Sequence, residues 1–192
     1  MPITKFDILD FFYDCVFEPL GFHAIPIPLP KPANGHALKM KGLVQTNSYS
    51  CVATAGYSVL KYLNPDTPVA LRKFMKLVGE STEGASDAQL KRALRRCEVS
   101  TRAIDPRNSK EIKKWLGKNI PIITAILRPS GMWHCVVIYG YAKLDRKNYY
   151  LVANNVENLW RNSYMPVKSF RSSVDDEKGS AFACFIKGKT FI

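Results

Sequence analysis

Hydrophobic positions repeat at helical spacing through the first two thirds of the chain. Over residues 51–63 apolar side chains recur every three or four positions, which predicts a helix with one buried face. The same period predicts helices over 69–78, 86–97 and 110–116, and an amphipathic segment predicts another over 4–17. Thr67, Ser86 and Ser109 precede three of these segments as helix N-caps.

The last third of the chain changes to the pattern of buried strands. Residues 120–127, 133–141 and 148–154 are rich in β-branched and aromatic residues, and a polar turn over 142–147 joins the last two into a hairpin. Shorter segments predict strands over 37–44 and 181–187 and a helix over 166–172. Helices followed by strands indicate the α+β class.

The length of 192 residues predicts one domain over 1–192 with three parts. Residues 1–40 hold the first helix and a proline-rich arm, 41–118 the helical half, and 119–192 the sheet half. The arm has prolines at alternate positions, which exclude a helix there. They are Pro26, Pro28, Pro30 and Pro32. It is expected to lie across the surface, and whether it blocks a cleft or braces the fold stays open.

Basic residues outnumber acidic residues, 28 to 16, which gives a net charge of +12. Residues 72–118 carry thirteen Lys and Arg against six Asp and Glu, a net of +7 (13 − 6). An acidic protein partner is expected at these helices, with a solvated basic surface as the alternative. Nucleic acid is an unlikely partner, because no pattern of stacking aromatic residues accompanies the charge.

Cysteine and histidine spacing predicts no cofactor and no metal. The five cysteines show no Cys-x-x-Cys pair, so a reducing compartment is expected, and the three histidines lack a second ligand at metal spacing. The N-terminus lacks the features of a signal peptide, and no apolar run is long enough to span a membrane. The predicted location is cytoplasmic, or exported by a route without a cleavable signal.

Two residues have surroundings that favour nucleophilic chemistry. Cys51 begins a predicted helix, where the positive end of the helix dipole favours a thiolate. His134 lies on a predicted strand and shares a face with Val136 and Ile138, whereas Cys135 points to the opposite face and is not expected in the same site. The alternative is that Cys51 and His134 are buried residues that only pack in the core.

Two asparagines follow on the returning strand. If the hairpin turn centres near Leu144 and Asp145, His134 lies opposite Asn154 or Asn155, about 5 Å away. A side-chain amide at that distance can hold an imidazole in one tautomer and orientation. Cysteine, histidine and asparagine would then form a set of nucleophile, base and orienting residue.

Residues 40–187 together resemble cysteine peptidase family 39, the bacteriocin-processing peptidases of the papain-like superfamily and their stand-alone relatives. The resemblance rests on QTNSYSC followed by a helix, then IPIITAIL, WHCVVIYGY and YYLVANN. It implies a papain-like α+β fold. It also implies Cys51 as the nucleophile, His134 as the general base, and the Gln45 amide beside the Cys51 N–H as the oxyanion hole.

In the same resemblance Asn154 occupies the place of the family's orienting aspartate, with Asn155 as the alternative. This chain has Asn-Asn where the family has a typical Asp-Pro pair. The expected activity is hydrolysis of peptide bonds in a peptide or protein substrate. The alternatives are an acyltransferase, deamidase or transglutaminase-like enzyme with the same residues, and an inactive papain-like domain that binds an acidic partner.

Overall fold

The computed structural model describes residues 34–43, 48–128, 131–144, 146–153, 163–174 and 180–189. These residues form five helices and seven strands. The helices are α1 (Cys51–Leu63), α2 (Leu71–Val78), α3 (Asp87–Arg96), α4 (Ser109–Leu116) and α5 (Val167–Ser173). The strands are β1 (Gly35–Ala37), β2 (Ser100–Ile104), β3 (Ile122–Leu127), β4 (Trp133–Leu144), β5 (Lys147–Ala153), β6 (Ser163–Pro166) and β7 (Ala181–Phe185).

The seven strands belong to one antiparallel sheet, in which six follow the order β2-β7-β3-β4-β5-β6 and β1 pairs with β4. Strand β4 is the longest, and its middle residues are completely buried, as their unbroken apolar run predicts. Among the described helices, none is long and apolar enough to cross a membrane. The arrangement is the α+β class predicted from the sequence.

Strand β4 pairs with two different strands along one of its edges. Its first half pairs with β3, and its second half pairs with β1 at Gly140 and its neighbours. A Cβ atom at Gly140 would lie 2.5 Å from the His36 carbonyl oxygen, so only glycine allows this close approach. The register with β5 shifts at a bulge between Ile138 and Gly140, and the Tyr139 carbonyl accepts a hydrogen bond from the Leu38 N–H at 2.9 Å.

Helix α1 packs against α2, α3 and β4. Gly56 allows this packing, because a Cβ atom there would lie 2.4 Å from Leu90 Cδ1 of α3 and 3.1 Å from Phe74 Cε1 of α2. Ser86 starts α3 with a capping box, in which it accepts a hydrogen bond from the Gln89 N–H while the Gln89 side chain accepts one from the Ser86 N–H. These contacts fix the N-terminal ends of α1 and α3.

Several predicted boundaries were wrong. Strand β1 lies at 35–37 and not at 37–44, and β2 and β6 were not predicted, so the helices do not all precede the strands. The N-cap of α2 is Ala70 and not Thr67, and the N-cap of α4 is Asn108, which accepts from the Glu111 N–H, and not Ser109. The helix predicted over 4–17 and the proline arm fall within residues 1–33, outside the described residues.

Candidate active site

Cys51 is the first residue of α1, where the sequence predicted it. Its thiol is half-buried, and the preceding residue, Ser50, is completely buried. The Ser50 carbonyl accepts the first hydrogen bond of the helix, from the Thr54 N–H at 2.9 Å. The N–H groups of the first turn, including that of Cys51, therefore lie at the positive end of the helix, where they stabilise a thiolate or an oxyanion.

His134 is the second residue of β4 and is only 4% exposed. It pairs across the sheet with Ile126 of β3. The exposed fraction rises at the preceding residues, to 50% at Trp133 and 62% at Met132. The imidazole therefore lies at the end of the sheet, below an exposed apolar turn.

Cys51 and His134 line the same cavity, which has a volume of about 1040 Å³. One wall comes from the loop before α3 and its first turns, and the opposite wall from the ends of β3, β4 and β7. The lining residues outside these two are Ser48, Tyr49, Val52, Thr82, Glu83, Gly84, Ala85, Ser86, Asp87, Ala88, Lys91, Ala125, Met132, Trp133, Cys135 and Ser180. A helix-terminal thiol and a strand histidine thus line one cleft.

Cys135 also lines this cavity, so the prediction that it lies apart from the site was wrong. The strand register gives the reason. Cys135 pairs with Ala125, and it shares a sheet face with Phe182, over which Lys91 of α3 lies at 4.6 Å from the ring centroid. The helical layer therefore covers the face to which Cys135 points. Burial raises the pKa of the Cys135 thiol well above its ordinary value, and the nearby Cys51 thiol raises it further.

Arg128 is a cationic neighbour of Cys51 that sequence reasoning missed. Burial lowers the pKa of its guanidinium, and the charge of Cys51 acts in the opposite direction. Arg128 therefore lies close enough to Cys51 for the two groups to interact electrostatically. The sequence feature that could have indicated Arg128 is its position directly after the buried strand β3. Ile126 of this strand pairs with His134.

Asp87 and Ser180 are two further polar groups of the cavity that were not predicted. Burial raises the pKa of the Asp87 carboxyl, and the Lys91 ammonium one turn away partly offsets this. The Ser180 hydroxyl oxygen is buried and has no hydrogen-bond partner in the described part of the chain. Neither residue belongs to a pattern visible in the sequence, because each reaches the cavity from a different element.

The other predicted site residues, Gln45, Asn154 and Asn155, lie outside the described residues. The observed register nevertheless corrects the predicted hairpin. Leu144 pairs with Lys147, and the bulge shifts the pairing again, so that Val137 pairs with Ala153. The turn therefore centres later than the position predicted for it, near Leu144 and Asp145.

The chain belongs to the peptidase C39 family, a family of cysteine peptidases. The family model matches residues 39–169, more than half of the 192-residue chain. The match includes Cys51 and His134, the candidate nucleophile and the candidate base. No curated protein sequence matches the chain significantly.

Solved structures support the fold. A C39-like peptidase from Bacillus anthracis is 13% identical, with a TM-score of 0.63, 81% of this chain covered and 99% of that chain. The peptidase domain of Streptococcus ComA, a bifunctional ABC transporter involved in quorum sensing, is 15% identical, with a TM-score of 0.59 and coverages of 76% and 96%. A double glycine motif protease from an AMS/PCAT transporter, solved with the leader peptide, is 18% identical, with a TM-score of 0.58 and coverages of 80% and 94%.

Proposed function

We propose that the protein hydrolyses peptide bonds with Cys51 as nucleophile and His134 as general base. The observation that carries this proposal is that a half-buried thiol at a helix N-terminus and a buried strand histidine line the same cavity. A nucleophile and a base that line one cleft can act on the same bound group. The family supplies the reaction class, and these two positions supply the chemistry.

The proposed reaction has two steps. The Cys51 thiolate attacks the peptide carbonyl, and the N–H groups at the start of α1 stabilise the oxyanion that forms. His134 gives its proton to the leaving amine as the carbon–nitrogen bond breaks, which leaves an acyl-enzyme. His134 then takes a proton from water, which attacks the thioester, releases the acid and restores the thiol.

Gln45 and Asn154 complete the proposed site by their positions in the sequence. Gln45 precedes Cys51 by six residues, and its side-chain amide would join the Cys51 N–H in the oxyanion hole. Asn154 directly follows Ala153, which pairs with Val137, three residues beyond His134 on β4. We propose Asn154 as the residue that orients His134, with Asn155 as the alternative.

The proposed substrate is a peptide whose apolar side chains contact the turn between β3 and β4. Met132 and Trp133 line the cavity and are 62% and 50% exposed, and Leu127, which pairs with Trp133, is 39% exposed. Apolar groups of this size exposed at the mouth of a cleft are typical of a binding surface. The buried Ser180 hydroxyl offers a hydrogen bond to the peptide backbone in the same cleft.

The decisive experiment incubates a proteome-derived peptide library with the wild-type protein and identifies new peptide ends by mass spectrometry. The expected result is a set of cut peptides that is missing with Cys51→Ala and with His134→Ala. Hydrolysis incorporates one oxygen from H₂¹⁸O into the new carboxyl end, whereas acyl transfer to an added amine gives an amide instead.

The matched control is Cys97→Ala, which removes a half-buried thiol that does not line the cavity and should leave the cut peptides unchanged. Cleavage that persists in Cys51→Ala would exclude the proposed nucleophile. A wild-type protein that cuts no peptide, and that still binds peptides after Cys51→Ala, would instead favour an inactive binding domain.

A further inference from the structure

A second cavity lies next to the candidate active site and is lined by cations. Its volume is about 540 Å³, and its described lining residues include four basic side chains and no carboxylate. Three of the cations, Lys91, Arg92 and Arg95, come from the end of α3, and Lys187 follows β7. We call it the basic cavity.

The remaining lining of the basic cavity is suited to an anion held against an apolar floor. Ser100 and Thr101 of β2 contribute hydroxyl groups, and Val99 and Phe185 contribute apolar surface. The Phe185 ring stacks on Trp115 at 6.0 Å between ring centroids, which fixes the floor. Guanidinium and hydroxyl groups that converge in this way are ligands for carboxylate groups.

The basic cavity adjoins the candidate catalytic cleft at α3. Ala88 and Lys91, which lie within one turn of this helix, line both cavities. Asp87, on the catalytic side, partly offsets the charge of Lys91. The excess positive charge of the basic cavity therefore comes from Arg92, Arg95 and Lys187. These three residues do not line the cavity that holds Cys51.

We infer that the basic cavity is a specificity subsite that binds acidic side chains of the peptide substrate, an inference that rests on the proposed peptidase function. A peptide in the cleft that continues past Ala88 enters this cavity. Ala88 and Arg95 are seven residues apart on α3, which is about 10 Å along the helix axis. An extended peptide covers that distance with about three residues. An Asp or Glu at one fixed offset from the scissile bond is therefore preferred.

A side-chain carboxylate of the substrate fits the basic cavity better than a free polyanion. A carboxylate on a peptide whose backbone lies in the catalytic cleft is tethered beside the basic cavity, because Ala88 and Lys91 line both cavities. The effective concentration of a tethered group is high, so exposed cations that bind a free anion weakly still discriminate between peptides. Binding of free anions is the alternative, and the experiment distinguishes it from binding of substrate carboxylates.

The test compares the cut peptides of the wild-type protein with those of the double variant Arg92→Gln with Arg95→Gln. In the wild type, Asp and Glu should be enriched roughly threefold to fivefold at one position relative to the cut, as one or two exposed ion pairs provide. In the variant the enrichment should disappear at that position. Raising the salt concentration to 1 M should reduce the wild-type enrichment in the same way.

The control is the double variant Arg72→Gln with Lys76→Gln, which removes the same charge from α2 outside both cavities and should keep the enrichment. The rate at which iodoacetamide labels Cys51 should be the same in all three proteins, which shows that the active site is intact. A wild-type protein that cuts peptides without acidic enrichment overturns this inference and leaves the peptidase proposal standing.

Two further outcomes also decide against the inference. Enrichment that survives the Arg92 and Arg95 changes places the acidic preference elsewhere in the cleft. If the cut peptides show no acidic enrichment, but tripolyphosphate inhibits the wild-type protein and not the double variant, the cavity binds free anions. A wild-type protein that cuts no peptide rejects the proposed function, and this inference with it.

Discussion

Cys51 and Cys135 line the same cavity but lie in different kinds of structure. Cys51 is half-buried at the N-terminus of a helix, with the Arg128 guanidinium close enough to interact with it. Cys135 is 3% exposed near the start of β4, where burial holds its pKa well above the ordinary value. The two thiols at one cleft therefore differ in exposure and in nearby charge, and these are the properties that control the reactivity of a thiol.

The largest difference between the two cysteines is expected in catalysis. Cys51→Ala should lower kcat/KM for a peptide cut by the wild-type protein by at least about 10⁴-fold, because no other group replaces the nucleophile. Cys135→Ala should leave kcat/KM within about threefold of the wild type, because the lost contacts are packing contacts. The measurement is the initial rate of cleavage under matched conditions, and a comparable loss in both variants would remove the distinction.

A difference of about 100-fold or more is expected in alkylation. At pH 7 iodoacetamide should label Cys51 much faster than Cys135 or Cys184, since reaction at the buried thiols requires both local opening and loss of a proton whose pKa is raised. Peptide mass spectrometry of timed samples measures each rate. In 8 M urea the rates should converge, and equal labelling in the folded protein would contradict the comparison.

The smallest expected effect is on stability at alkaline pH. Unfolded thiols ionise near pH 8.5, whereas burial raises the pKa of Cys135 and of Cys184 in the folded protein. As the pH rises, these thiols therefore lose their protons first in the unfolded state. The stabilisation of the folded state by the two neutral buried thiols is complete below about pH 8.5 and is lost as the pH rises above it. Each thiol should lower the free energy of unfolding by about 1.4 kcal/mol per pH unit.

Urea unfolding at pH 7.5 and pH 9.5 measures this effect. Cys135→Ala should remove about 1.4 kcal/mol of the decrease between the two pH values. Val137→Ala is the matched control, because Val137 is buried on the same face of β4 and does not titrate. It should lower stability at both pH values and keep the whole decrease. An unchanged decrease in Cys135→Ala would show that the buried thiol does not stay neutral.

Local pattern predicted the elements that carry the site. Helix α1 was predicted over 51–63 and observed as Cys51–Leu63, because its apolar period and the turn that follows it are encoded in adjacent residues. Strand β4 was predicted for the same reason. Strand β2 was missed, because Ser100–Ile104 is short, largely polar and held only at the edge of the sheet by β7, about eighty residues further along the chain.

Long-range pairing decided the features that the sequence analysis predicted wrongly. The bulge at Tyr139 shifts the hairpin by one residue, and alternation along a strand does not indicate which face the helices cover. Cys135 was excluded from the site because it points to the face opposite His134, but that alternation does not decide which residues line a cavity at the end of the strand.

The sequence by itself determined the family, the class of fold, the helix that begins at Cys51, the strand that carries His134, and the positive charge of the region 72–118. Each depends on residues that are close together in the chain or on a simple count. Only the tertiary structure decided that Cys51 and His134 line one cavity and that Arg92, Arg95 and Lys187 surround a second one beside it. The reason is physical, because a cavity is formed where separate elements pack, and packing depends on contacts between residues far apart in the chain.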